Sequence, residues 1–216
     1  MMLSATVKSF ALAAGTATFV LGSLSSARAF TVYTDRAAWQ AAVDALNGVT
    51  TTDTFSTDIG SAQSILLDSG ITSTNSPEVT LPNAFNNNSV SGGVYQNAAG
   101  GATASATITW DFPKSVFAFG ADFISANSNG LTLSGNFDGL GIQNILVNNT
   151  IGGANGFLGV IGTANFSSIF FSSGNGVVDG FSIQNASFSS TPEPGTVMAL
   201  GILGGGLFLS RRDKRG

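Results

Sequence analysis

From residue 103 onward, apolar and polar positions alternate one by one. Ala104, Ala106, Ile108, Trp110 and Phe112 are separated by Thr103, Ser105, Thr107, Thr109 and Asp111. A period of two predicts a strand with one buried face. Phe117, Phe119, Ala121 and Phe123 continue the pattern after a break at Pro113-Lys114. Leu131, Leu133 and Phe137 alternate with Thr132, Ser134 and Asn136. Ile145 with Val147, residues 157–161 and residues 169–171 predict further strands, and residues 177–188 a last one, bulged near Asn185. Gly, Asn and Ser separate these runs, as turn chemistry requires. Several short strands at this spacing imply a sandwich or barrel.

One stretch has the helical period instead. Trp39, Ala42, Val43 and Leu46 share one helical face. Thr34 or Asp35 is placed to cap the N-terminus and Gly48 to end the helix. Trp39 reads as the anchor holding this helix on the sheet. Residues 75–101, rich in Asn, Ser and Gly, read as a long surface loop or irregular sheet edge.

The two ends of the chain have neither period. In residues 1–29, Lys8 precedes an apolar run over 10–24, and Ala27-Arg28-Ala29 gives a small-x-small cleavage pattern. This predicts a secretory signal peptide cut after Ala29 by signal peptidase, so that the mature chain begins at Phe30. In residues 191–216, Pro192-Glu193-Pro194 precedes an apolar run to Leu209, then Arg211, Arg212, Lys214 and Arg215. The prolines set this tail apart from any strand. The run predicts a transmembrane helix, short for roughly 30 Å of hydrocarbon. The basic cluster stays cytoplasmic under the positive-inside rule, which places the domain outside.

Pro192-Glu193-Pro194, the apolar run and the Arg211-Arg212 cluster together closely resemble the PEP-CTERM sorting signal. The resemblance implies recognition by a membrane-embedded exosortase, cutting near the Pro-Glu-Pro, and transfer from the inner membrane to the outer envelope or extracellular matrix. The three parts predicted are a signal peptide (1–29), one β domain (30–190) and a sorting tail (191–216).

Composition narrows the chemistry. The chain has no cysteine and no histidine. Disulfide frameworks, Cys nucleophiles, Ser-His-Asp triads and nearly all catalytic zinc sites are excluded. A domain of about 160 residues buries roughly two thirds of its unfolded surface and needs no cross-link. Within 30–190 the only basic residues are Arg36 and Lys114, against ten acidic ones, a net −8. Such a surface repels nucleic acid. Its plain reading is solubility, and its sharper one is calcium, which takes acidic oxygen ligands.

A second resemblance lies in this middle region. Asp35-Arg36-Ala37-Ala38-Trp39 with Thr54-Phe55 looks like the start of many exported PEP-CTERM proteins. Phe117 to Phe123, Gly156 to Val160 and Asp179 to Ile183 look like the jelly-roll core common in them. The fold implied is an all-β, jelly-roll-like sandwich with one short N-terminal helix, between signal-peptide and transmembrane helices. Related jelly rolls often hold calcium with an acidic residue in the last strand, where this chain has Gln184-Asn185.

Candidate chemistry is sparse. Asp111, Asp122, Asp138 and Asp179 lie in or beside predicted strands, and two converging carboxylates would be needed for glycoside hydrolysis. Asp122 and Asp179 are the calcium candidates. Asp138-Gly139 reads as a hairpin turn and Asp122 as solvent-facing. Tyr95, in the Asn-rich stretch, is the better candidate for a sugar-stacking platform, and Trp110 reads as core. The sequons at Asn87, Asn148, Asn165 and Asn185 follow from high Asn, Ser and Thr content. The leading expectation is a non-enzymatic surface or matrix protein acting through display, adhesion or assembly. The alternative is a calcium-assisted module binding surface polysaccharide, and a carboxylate glycoside hydrolase is a distant third.

Overall fold

In a computed structural model the structure describes residues 30–76, 88–99, 107–126, 130–173 and 179–191. The predicted signal peptide and sorting tail lie outside them, as do Ala29, Pro192, Glu193, Pro194, Arg211 and Arg212. Among the described residues, no helix is long and apolar enough to cross a membrane.

Eleven strands and two helices follow one another: β1 (Thr31–Tyr33), α1 (Arg36–Ala45), β2 (Val49–Asp53), β3 (Ser64–Leu66), β4 (Thr72–Ser76), β5 (Ser89–Ser91), β6 (Val94–Ala99), β7 (Thr107–Phe123), β8 (Leu131–Gly135), β9 (Gln143–Leu146), α2 (Val147–Ile151), β10 (Gly156–Ser173) and β11 (Asp179–Ser190). All pairings are antiparallel. The protein is therefore predominantly β, a curled antiparallel sheet with two helices.

The spine of the sheet is the pair β7–β10. Its first part, where Ile108 faces Phe171 and Asp111 faces Ser168, carries β4 and β3 on one side and β8 and β9 on the other. Its second part, from Ala118/Ile161 to Phe123/Gly156, carries β1 beside β10 and β11 beside β7. The outer edge of β11 pairs first with β6, then with β2. The core lies inside the curl. Trp110 is fully buried there, its ring 4.9 Å from Tyr95, 5.3 Å from Phe171 and 6.0 Å from Phe119.

The break expected at Pro113-Lys114 is not a break. β7 runs straight through it, while residues 112–115 bow away from β10 opposite Ser167. On β10, residues 162–165 bow out opposite Phe117. The two excursions cancel, so pairing resumes in the same register. Proline cannot donate to a ladder, and a bulge is where a strand tolerates it. The bulge also re-aims the side chains. Phe119, Ala121 and Phe123 face the main core, whereas Phe117 and Ala118 join a second cluster beneath α1. Phe117 was expected on the face of Phe119. For the same reason residues 157–161 and 169–171, expected as separate strands, belong to one strand.

Helix α1 matches its expected start. The Asp35 carboxylate accepts from the Ala38 N–H at 2.7 Å, and Trp39 and Val43 are buried. Its end differs. Leu46 is exposed, and the left-handed residue that turns the chain is Asn47, at φ 56°. Gly48 matters for space, since a Cβ there would come within 2.6 Å of Val43. The last strand is bulged as expected, with the register shifting between Ile183 and Asn185. Val147, expected in a strand, opens α2, a second helix that the sequence pattern did not predict.

The described part of residues 75–101 is not a surface loop; residues 89–99 form the sheet-edge hairpin that was the other expectation. Asn75 sits in β4, and Asn88 leads into the β5–β6 hairpin, which pairs with β11. Asn75, Asn88 and Asn97 are buried.

Candidate functional site

The outer face of β7, β10 and β11 has an apolar half and a polar half, and α1 lies across both. Trp39 fills the apolar half. Gly120 on β7 and Gly159 on β10 face each other in register and leave a slot for its indole. A Cβ on Gly159 would stand 2.5 Å from the Trp39 ring, and one on Gly120 2.6 Å from Phe157. The indole N–H donates to the Val160 carbonyl at 3.3 Å, and the Phe157 ring packs 5.8 Å away.

One turn earlier, Arg36 reaches the polar half. Its guanidinium lies 4.7 Å from the centre of the Phe157 ring, a cation–π contact. Its Nη2 stands 2.9 Å from Asp122 Oδ2, its Nε donates to Oδ1 at 3.2 Å, and its Nη1 donates to Ser187 Oγ at 3.0 Å. Asn185 Nδ2 donates to the same carboxylate at 3.0 Å. Both charged side chains remain about one third exposed, 34% for Arg36 and 28% for Asp122. The polar face extends outward through Thr52 to Ser187 at 2.9 Å and Thr50 to Ser189 at 2.7 Å. This half-open cluster offers hydrogen-bond donors and acceptors together on one face of the sheet.

Of the sequence candidates, Asp122 lies here. Its pleat points outward as expected, but Arg36 covers it, so it does not stand free in solvent. Asp179 is fully buried on β11, paired with Ala99. Asp122 pairs instead with Asn185, six positions further along β11, so the two carboxylates are not brought together. Among the described residues, no three His, Cys, Asp or Glu side chains gather as a metal-holding group. Asp111 is exposed on β7. Asp138 sits in the β8–β9 turn, where its carboxylate accepts from the Leu140 N–H at 2.8 Å and from Gln143. Asp53 is buried and accepts from the Phe55 and Ser69 N–H groups at 2.7 and 2.9 Å. Hydrogen bonds from Thr57 and then Ser56 hold the exposed Asp68 carboxyl below its ordinary range.

Tyr95 is not a surface platform. It is completely buried, and its hydroxyl joins a polar knot inside the sheet. Asn97 Nδ2 donates to that hydroxyl at 2.6 Å, Ser73 Oγ lies 2.9 Å away, and the hydroxyl donates to Asn88 Oδ1 at 3.2 Å. Asn88 Nδ2 in turn donates to the carbonyls of Ala62, Gln63 and Ser73. Burial pushes the Tyr95 phenol above its usual range. The asparagines that look like loop composition in the sequence satisfy one another and the backbone, as buried polar groups must. Trp110 is core, as expected.

Sequence reasoning missed Arg36, Ser187 and the polar knot. Arg36 is one of only two basic residues in the domain, and that scarcity was the available signal. No protein-family model, curated protein or solved structure matches this chain.

Proposed function

We propose that this is an exported envelope protein that displays a rigid, jelly-roll-like β domain. Display, adhesion or assembly, and not bond cleavage, is its work. The observation that carries this reading is how the acidic side chains are engaged. Asp35, Asp53, Asp68 and Asp138 each accept hydrogen bonds from backbone N–H groups or side chains of their own or a neighbouring loop, and Asp122 is neutralised by Arg36. Carboxylates held this way brace the fold, their lone pairs already engaged by donors of the protein itself. The sorting tail supplies the route, through signal peptidase, the inner membrane and an exosortase.

Intact mass of the protein from its native host, with cell fractionation, tests the proposal. A mass running from Phe30 to the Pro-Glu-Pro region, found in the outer envelope or matrix, is the expected result. A mass retaining residues 196–216 in the inner membrane would sink it.

The half-open Arg36–Asp122–Asn185 cluster favours one second reading, a module for surface polysaccharide. Calcium assistance is its weakest part, because Arg36 already satisfies Asp122. Calorimetry against a glycan panel, with and without calcium, tests it; binding heat that vanishes in Arg36→Ala is the expected result, and no heat from any glycan removes the reading.

A further inference from the structure

We infer that one end of the domain, bearing Leu46, Val49, Leu140 and Ile142, is a membrane-facing surface that lies against the lipid bilayer while the tail is attached. This rests on the sorting-tail reading and adds the orientation of the domain to it.

Among the described residues seven large hydrophobic side chains are exposed, and four of them are Leu46, Val49, Leu140 and Ile142. Leu46, Phe117, Ala164 and Thr191 line one open groove of about 410 Å³. Val49 pairs with Ser190, the residue before Thr191. Across the groove, the Ala164 N–H donates to the Phe137 carbonyl at 3.2 Å, and a Cβ on Gly139 would stand 3.1 Å from Ala164 Cβ. That contact places the β8–β9 turn beside the groove. Leu140 at its tip is 76% exposed and Ile142 58%. The bulge in β10 builds the groove floor, since residues 162–165 are those that bow away from β7.

Chain length then fixes what this end meets. Between Thr191 and the apolar run that starts at Val197 lie only residues 192–196. Fully extended, they span at most about 18 Å. A domain of this size has a radius of gyration near 15 Å, so its far end stands well beyond that tether. Once residues 197–209 enter a bilayer, the Thr191 end is the one held at the surface. The other terminus agrees. Thr31 pairs with Ile161, beside the groove, and the Phe30 ring lies 5.3 Å from Phe137. The predicted signal peptide therefore also joins the domain here. Leucine and isoleucine side chains at such an end gain by entering the interfacial layer. The −8 charge of the domain opposes free adsorption to an anionic leaflet, so the tether, and not the patch alone, brings the surfaces together.

The absence of cysteine makes the test clean. The chain from Phe30 to Gly216, made in a host without an exosortase so that residues 192–216 stay attached, is reconstituted into phosphatidylethanolamine–phosphatidylglycerol vesicles containing doxyl-labelled lipid. A polarity-sensitive fluorophore is placed on Leu140→Cys, on Ile142→Cys, or on Ser76→Cys at the exposed far end of β4. The expected result is flotation of all three, with loss and blue shift of fluorescence at positions 140 and 142 and neither at 76. Flotation with equal behaviour at all three positions overturns the orientation while leaving the tail reading standing. Failure to float overturns both.

Discussion

Gly120 and Gly159 show what a single missing methyl group does. Both are in register across β7 and β10, and the rings of Trp39 and Phe157 occupy the space their side chains would need. Gly159→Ala forces the indole or Phe157 to move, and overpacking of this kind costs about 1–3 kcal/mol. Trp39→Ala empties the slot and costs about 3–5 kcal/mol. Urea unfolding of the two variants checks both values. Tyr95 gives a pH signature. Its folded-state phenol holds its proton more tightly than the unfolded one. The associated stability is fully present below the unfolded value of about 10 and is lost as pH rises above it. Thermal melts of the wild type are expected to fall as pH rises above about 10, and Tyr95→Phe is expected to flatten that fall. At neutral pH the same variant leaves Asn97 and Ser73 short of a partner, at about 1–3 kcal/mol. By contrast, Asp122→Asn removes an ion pair already about one third exposed, and its cost is at most about 1 kcal/mol.

Helix α1 is the element whose sequence and structure agree most closely, because its cap and its periodic face are local. Asp35→Ala removes the bond to the Ala38 N–H and is expected to cost about 1 kcal/mol by chemical denaturation. The long strands behave differently. Period-two alternation located β7, β10 and β11, yet it cut β7 at Pro113 and split β10 in two. Nothing local distinguishes a bulge from a strand end. The partner decides, because residues 112–115 and 162–165 bow out together and pairing then resumes. Of the two readings of residues 75–101, the structure of residues 88–99 takes the sheet edge and not the surface loop, for a related reason. Asn and Ser favour turns when they are solvated. Here Asn97 donates to Asn88, and Asn88 donates to backbone carbonyls, so both can be buried.

At the scale of the molecule, the pairings join distant parts of the chain. Asp53 faces Ala186, and Phe123 faces both Gly156 and Ile183. Loop closure over such separations precedes any reward, so folding is expected in about milliseconds to seconds. Because β7 and β10 run through both parts of the sheet, the domain is expected to unfold in one transition. Stopped-flow fluorescence and coincident near- and far-UV melts check these two outcomes. The sequence alone determined the β class, the capped helix, the buried Trp110 and the chemistry that a chain without cysteine or histidine cannot perform. These follow from composition and from periods shorter than one element. Only the tertiary structure decided which face Phe117 takes, that Arg36 covers Asp122, that Asp122 and Asp179 stay apart, and that Tyr95 is internal. It also decided that Phe30 and Thr191 leave from one end. Each of these depends on which strand lies beside which, and register is set by contacts between residues far apart along the chain.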